Sequence, residues 1–321
     1  MPAPLPPLPS PVTRPAGLVA AAADPRAELL PAVAHTAGAP VLAAYAALGA
    51  AVVALAGWWP LVGLLATPLL LLSAAADLDG RTGWVRGLAR RSPARTAVLP
   101  VRASGAPRQL LIVLPDDPLS PRRAGPWPVI LAALFAVGLG GALAHAAGLP
   151  VGQPLVAGAG LCLGALAMGL RALGPPRAGL PAEALPGFIG ATAAALVSAL
   201  PPGVDAVLVV PGGDGLFADG LATLLLNHRA RFAPPRTAVL AWSPDAGPLG
   251  VVPREGRFWR RASPLAEALA AAAFPRVAGP SPAATALALG WPAVGLRGGL
   301  DAPDTLPDTI ARAAAALAGH L

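Results

Sequence analysis

Four stretches of this chain, residues 41–59, 61–76, 128–149 and 151–170, contain no Asp, Glu, Lys or Arg. An uncharged apolar run of that length is either a helix that crosses about 30 Å of hydrocarbon or a helix buried in a core. Their lengths favour the first. Pro60 separates the first two runs, Trp58 and Trp59 suit an interface, and "GLP" separates the last two. The runs therefore predict four transmembrane helices in two hairpins. The composition agrees. The 321 residues are 55% hydrophobic and 12% charged, where a soluble domain carries about 25% charged residues.

Charge then predicts orientation. All 23 basic residues are Arg. Arg81, Arg86, Arg90, Arg91 and Arg95 follow the second run, Arg122 and Arg123 precede the third, and Arg171 and Arg177 follow the fourth. The tips between the runs are uncharged, so the positive-inside rule places the Arg-rich segments and both termini in the cytoplasm. The expectation is a multi-pass protein of the bacterial inner membrane. The first 17 residues lack the charged start and apolar core of a signal peptide and read, as part of an arm over 1–39, as a Pro-rich extended segment.

Residues 77–125 and 172–321 read as one discontinuous α/β domain, interrupted by the second hairpin at 126–171, with the first hairpin at 40–76. Strand signals fall at 96–101, 109–114, 205–210, 237–242 and 293–296. Helix signals fall at 187–200, 216–231, 264–273, 281–289 and 306–320. Alternation of the two predicts a mixed sheet with helices on both faces. "LLIVL" and "AVLVV" are apolar without interruption, as strands covered on both sides are.

Four motifs carry a family resemblance: "LLIVLPDDPLS", "LPGFIGATAAALVSAL", "VDAVLVVPGGDGLFADG" and "LGWPAVGLRGGLDAPDTLPDTIARAAAAL". In order and spacing they resemble the metal-binding segments of the di-zinc aminopeptidases, the family of the bacterial leucyl aminopeptidases. Some bacterial members of that family resemble this chain in carrying membrane helices between the first two motifs. The resemblance implies a zinc-aminopeptidase-like fold and a paired-zinc site, and it also shows what is missing. The family His falls on Pro115 and its Asp on Asp117. The bridging Asp falls on Gly190, and the Glu pair on Gly212 and Gly213, with Asp214 one residue on. The fourth ligand falls near Trp242 and Ser243, beside Asp245, and the last His near Leu300, beside Asp301. Proline and glycine offer no donor, and a paired-zinc site needs a bridging carboxylate, imidazoles and a general base. Asp117 and Asp214 are the remaining metal candidates. The chemistry implied is that of an inactive relative; the alternative is a metallo-aminopeptidase or amidohydrolase with a rearranged site. In "PDDP", Asp116 and Asp117 also fit an ordinary turn that caps backbone donors, or a residual site for a hard cation.

The single Cys162 excludes an internal disulfide and a Cys-based zinc cluster. "PGGDGLFADG" follows a strand but lacks the Gly-Lys-Ser/Thr ending of a phosphate loop. His145, inside the third run, is a weak candidate for an axial ligand to a haem or chlorin; with no second His at a matching depth, a packed or interface side chain is the better reading. No cofactor is expected. Gly160 and Gly164 form a small-xxx-small pattern for helix packing. Arg257, Trp259, Arg260 and Arg261 form a basic, aromatic cluster suited to anionic lipid headgroups or an acidic protein face rather than nucleic acid. Together these features predict a non-catalytic scaffold or accessory subunit, whose partners are other integral membrane proteins and lipid headgroups.

Overall fold

The computed structural model describes residues 19, 21–35, 38–56, 58–78, 83–85, 91–115, 127–149, 159–160, 180–212, 219–256, 261–279 and 281–321. Its centre is a mixed seven-stranded sheet flanked by helices. The strands are β1 (Glu28–His35), β2 (Arg91–Arg102), β3 (Arg108–Val113), β4 (Val204–Val210), β5 (Thr237–Ser243), β6 (Gly250–Val252) and β9 (Ala293–Arg297), in the order β1-β2-β4-β3-β5-β9-β6. A separate hairpin pairs β7 (Arg254–Glu255) with β8 (Arg261–Ala262). The middle four strands β4, β3, β5 and β9 run parallel, and β1, β2 and β6 add antiparallel edges.

Alternation along each parallel strand builds two cores. Leu110, Ile112, Leu208, Leu240, Trp242 and Leu296 face one side. There they meet α4 (Leu185–Ala199), α6 (Pro264–Ala271) and α8 (Leu306–Ala318). Leu111, Val113, Val207, Val209 and Val239 face the other side, against α5 (Asp219–Asn227) and α7 (Ala283–Ala288). Both faces are covered, which is why β4 and β5 are buried at every position. β3 precedes the apolar runs of the second predicted hairpin and β4 follows them, yet the two pair residue for residue, Leu110 with Ala206 through Val113 with Val209.

Residues 28–35, read from the sequence as part of an extended arm, form edge strand β1 against β2. Pro31 is tolerated there because an edge strand has one side free of ladder bonds.

The expectation of four transmembrane helices in two hairpins, and with it a multi-pass inner-membrane location, is corrected. Among the described residues no helix is long and apolar enough to cross a membrane. The helices that form are α1 (Gly38–Ala56), α2 (Pro60–Leu78) and α3 (Trp127–Ala146). α1 is shifted three residues toward the N-terminus of its run, and α3 stops three residues before Leu149. The fourth run lies outside the described residues except for 159–160. The reason is tertiary: uncharged helical runs also result from helices that pack on one another. Tyr45, Val53, Leu70, Val85 and Phe135 form a common cluster, and the Tyr45 hydroxyl shares a 2.7 Å hydrogen bond with buried Ser73 Oγ. Gly63 permits the close approach of α2 to α1, because a Cβ there would sit 2.6 Å from that of Ala56. Gly138 does the same on α3, facing Val53 and Ala159. The outward side of α2 keeps Leu61, Leu65, Leu69 and Leu72 exposed, each by more than half, beside Trp58 and Trp59.

Candidate functional site

In an open α/β sheet, ligands bind outside the carboxyl ends of the parallel strands where the crossovers change direction. Here β3 leads through α4 to β4 on one side, while β5 leads onward to β9 on the other. The topological switch point therefore lies between the ends of β3 and β5. The described residues there are Leu114 and half-buried Pro115 after β3, and Ser243 at the end of β5 with Pro244 and Asp245 beyond it.

Asp245 is not a free donor. Its Oδ2 accepts hydrogen bonds from Arg297 Nε at 2.9 Å and Nη2 at 2.7 Å, and its Oδ1 accepts from the Ala246 N–H at 3.1 Å. Both side chains of the pair are 12% exposed. Arg297 ends β9, and its guanidinium lies against Gly279, where a Cβ would collide with it. The neighbouring turn closes the same end of the sheet. The Gly298 N–H donates to Ser243 O, Leu300 to Asp245 O, and Gly299 to Gly247 O. Gly298 and Gly299 both hold positive φ, at 102° and 95°, and a Cβ on Gly298 would strike the Pro248 carbonyl. Asp301 is committed too, its Oδ2 accepting from the Gly247 N–H at 2.9 Å. Trp242 underlies the loop, donating from Nε1 to Gly298 O at 3.0 Å and packing 5.1 Å from Phe188.

The positions matched to family ligands are thus brought together only in part. Asp245, Leu300 and Asp301 converge. Gly190 lies on the exposed side of α4 with open space where a Cβ would be. Gly212 follows β4, and a Cβ there would collide with the Arg95 carbonyl of β2, so no glutamate fits without moving that strand. Pro115 stands two residues beyond the end of β3, and Asp117, Gly213 and Asp214 lie outside the described residues. Among the described residues no group of three or more His, Cys, Asp or Glu is placed to hold a metal ion. His145 sits half-buried in the last turn of α3. Gly160 has open space around it, Arg261 lies in β8, and Gly164, Arg257, Trp259 and Arg260 fall outside the described residues.

One polar cluster had no signal in the sequence. Glu255 on β7 is 1% exposed. Its carboxylate accepts from Ser281 Oγ at 2.8 Å and from the Ser281 N–H at 3.2 Å. Gly295 on β9 is the floor of this pocket, since a Cβ there would collide with Glu255 Oε1 and Ser281 Oγ. Burial drives the Glu255 carboxyl up to about 7, against the opposing pull of the Ser281 and Gly295 hydrogen bonds and of Arg297. Elsewhere, at the amino end of β4, Asp205 accepts from Ser104 N and Oγ and from Ala106 N at 2.7–3.0 Å. Desolvation works upward on that carboxyl, but these bonds outweigh it and hold it below the ordinary range.

No family model, curated protein or solved structure matches this chain.

Proposed function

We propose that the chain is a non-catalytic scaffold: a peptidase-like α/β domain that serves as a docking surface or accessory subunit. The observation that carries this reading is the Arg297–Asp245 pair at the carboxyl end of β5 and β9. The carboxylate nearest the matched fourth ligand position is already saturated by a fixed guanidinium. A dication placed beside it would meet a unit positive charge at close range in a partly dry site, where Coulomb repulsion at 4 Å amounts to several kcal/mol. The side-chain-free backbone at Gly212 supports the same reading from a second loop. The exposed leucine and tryptophan side of α2 supports an interaction role, because apolar patches of this kind mark contact surfaces.

The test is zinc titration of the purified full-length protein by calorimetry, followed by assay on aminoacyl-p-nitroanilides. The expected result is no stoichiometric zinc binding and no hydrolysis above buffer. Zinc-dependent hydrolysis that Asp245→Asn abolishes would overturn the proposal.

A further inference from the structure

The parallel strands start along one edge of the sheet, and that edge carries a row of guanidinium groups. Arg108 opens β3, and Arg236 stands immediately before β5. The two are neighbours: β3 and β5 are in register from Gln109 with Thr237 onward, and the Gln109 N–H donates to the Arg236 carbonyl at 2.7 Å. The alternation that turns Leu110 and Ala238 into one core puts residues 108 and 236 on that same side of the sheet. Arg102 ends antiparallel β2 opposite Ala206 of β4, and its Nη1 donates to the Leu200 and Pro201 carbonyls at the end of α4. Arg229 lies over the Trp291 ring, 5.3 Å from its centroid, where the chain enters β9.

The acids near this row are already committed. Asp205, opposite Gln109 in the β3–β4 ladder, accepts from Ser104 and Ala106, and Glu28 holds Arg231 at 2.6 Å. Elsewhere exposed arginines meet carboxylates, as Arg26 meets Asp24 and Arg276 meets Glu267. Arg108, Arg229 and Arg236 are exposed, and among the described residues no carboxylate pairs with any of them. Like charges side by side on adjacent strands repel, and an anion shared between them turns that repulsion into attraction.

The shape of the row selects the anion. Strands lie about 4.8 Å apart, so the edge from β2 through β4, β3 and β5 to β9 spans roughly 20 Å, the length of about six extended residues. Its aromatic rings are not offered for stacking on bases, because Trp291 and Phe232 are buried under Arg229 and Arg231. Among the described residues of 102–108 and 228–236 no large apolar side chain is exposed to enter a bilayer surface.

We propose that this edge docks an extended acidic segment of a partner protein, whose carboxylates lie across the strand starts with Arg108 and Arg236 at the centre. The proposal rests on the scaffold reading and gives the partner its chemistry.

The experiment is fluorescence anisotropy of a labelled hexaglutamate peptide titrated with the full-length protein at low salt. Arg108→Ala with Arg236→Ala weakens binding roughly tenfold. Arg254→Ala with Arg312→Ala removes the same charge from exposed positions elsewhere and leaves binding nearly unchanged. Circular dichroism confirms that each variant keeps the wild-type fold. No binding by wild type, or equal weakening by the two double variants, overturns the proposal. So does tighter binding to hexathymidylate or to vesicles containing phosphatidylglycerol that the first variant loses, since the edge would then serve nucleic acid or lipid. None of these outcomes alters the zinc titration, so the scaffold reading fails or stands separately.

Discussion

Removing the guanidinium of Arg297 isolates the contribution of the crevice ion pair. Arg297→Met keeps a long apolar stem against Gly279 but takes from Asp245 the two hydrogen bonds that its Oδ2 accepts from the guanidinium. Both partners are 12% exposed, so solvent screens the pair little. Breaking a buried pair from one side costs about 3–5 kcal/mol, because the surviving charge has lost both hydration and partner. For a domain of this size that lowers the melting temperature by roughly 10 °C. The assay is urea and thermal unfolding followed by circular dichroism at pH 7 and pH 4. The loss is larger at pH 7, since an unpaired Asp245 escapes its penalty by taking up a proton as pH falls. The double variant Arg297→Met, Asp245→Leu removes both charges and returns to within about 1 kcal/mol of wild type, as apolar replacements of buried pairs do. A single variant within about 0.5 kcal/mol of wild type, or a double variant worse than the single, would refute the claim that the pair fills a dry crevice.

Gly212→Glu, which restores the family residue type, drives β2 away from β4 at Arg95 and costs about 1–3 kcal/mol, read from the denaturant midpoint, without creating hydrolytic activity. Asp205→Ala strips the acceptor from Ser104 and Ala106 and costs about 1–3 kcal/mol. Because the folded-state pKa of Asp205 is lowered, its contribution is present above pH 3.8 and disappears as pH falls further, so the variant has a shallower acid limb in a stability-against-pH series. Trp291→Phe leaves the Phe232 carbonyl without the indole N–H that now reaches it at 2.6 Å and costs about 1–3 kcal/mol; an unchanged midpoint would mean that water takes the place of the donor.

The central strands were legible in the residues because their pattern is local. "LLIV" and "AVLVV" lack any polar face, and a strand without a polar face must be covered on both sides, as β3 and β4 are. The helices of the α/β part were placed to within a few residues for the same reason, their apolar faces recurring at the helical period. Strand β1 was not legible. "ELLPAVAH" contains a proline and acquires its strand character only from pairing with residues 91–98 of β2. The three-residue β6 and the hairpin β7–β8 are likewise too short to carry a period.

The apolar runs mark the limit from the other direction. Freedom from charge over 16 to 22 residues states that a helix shuns water, and says nothing of what covers it. Lipid and a neighbouring helix ask for the same side chains. The site was ambiguous for a related reason. The sequence determined which donors the matched positions lack, since Pro115, Gly190 and Gly212 bear no ligating group whatever the fold. What stands at the crevice was decided by contacts across long separations: Arg297 reaches Asp245 over 52 residues, and Ser281 reaches Glu255 over 26. A buried charge is set by its three-dimensional neighbours, and only the folded sheet brings the ends of β5 and β9 near enough to neutralise one with the other.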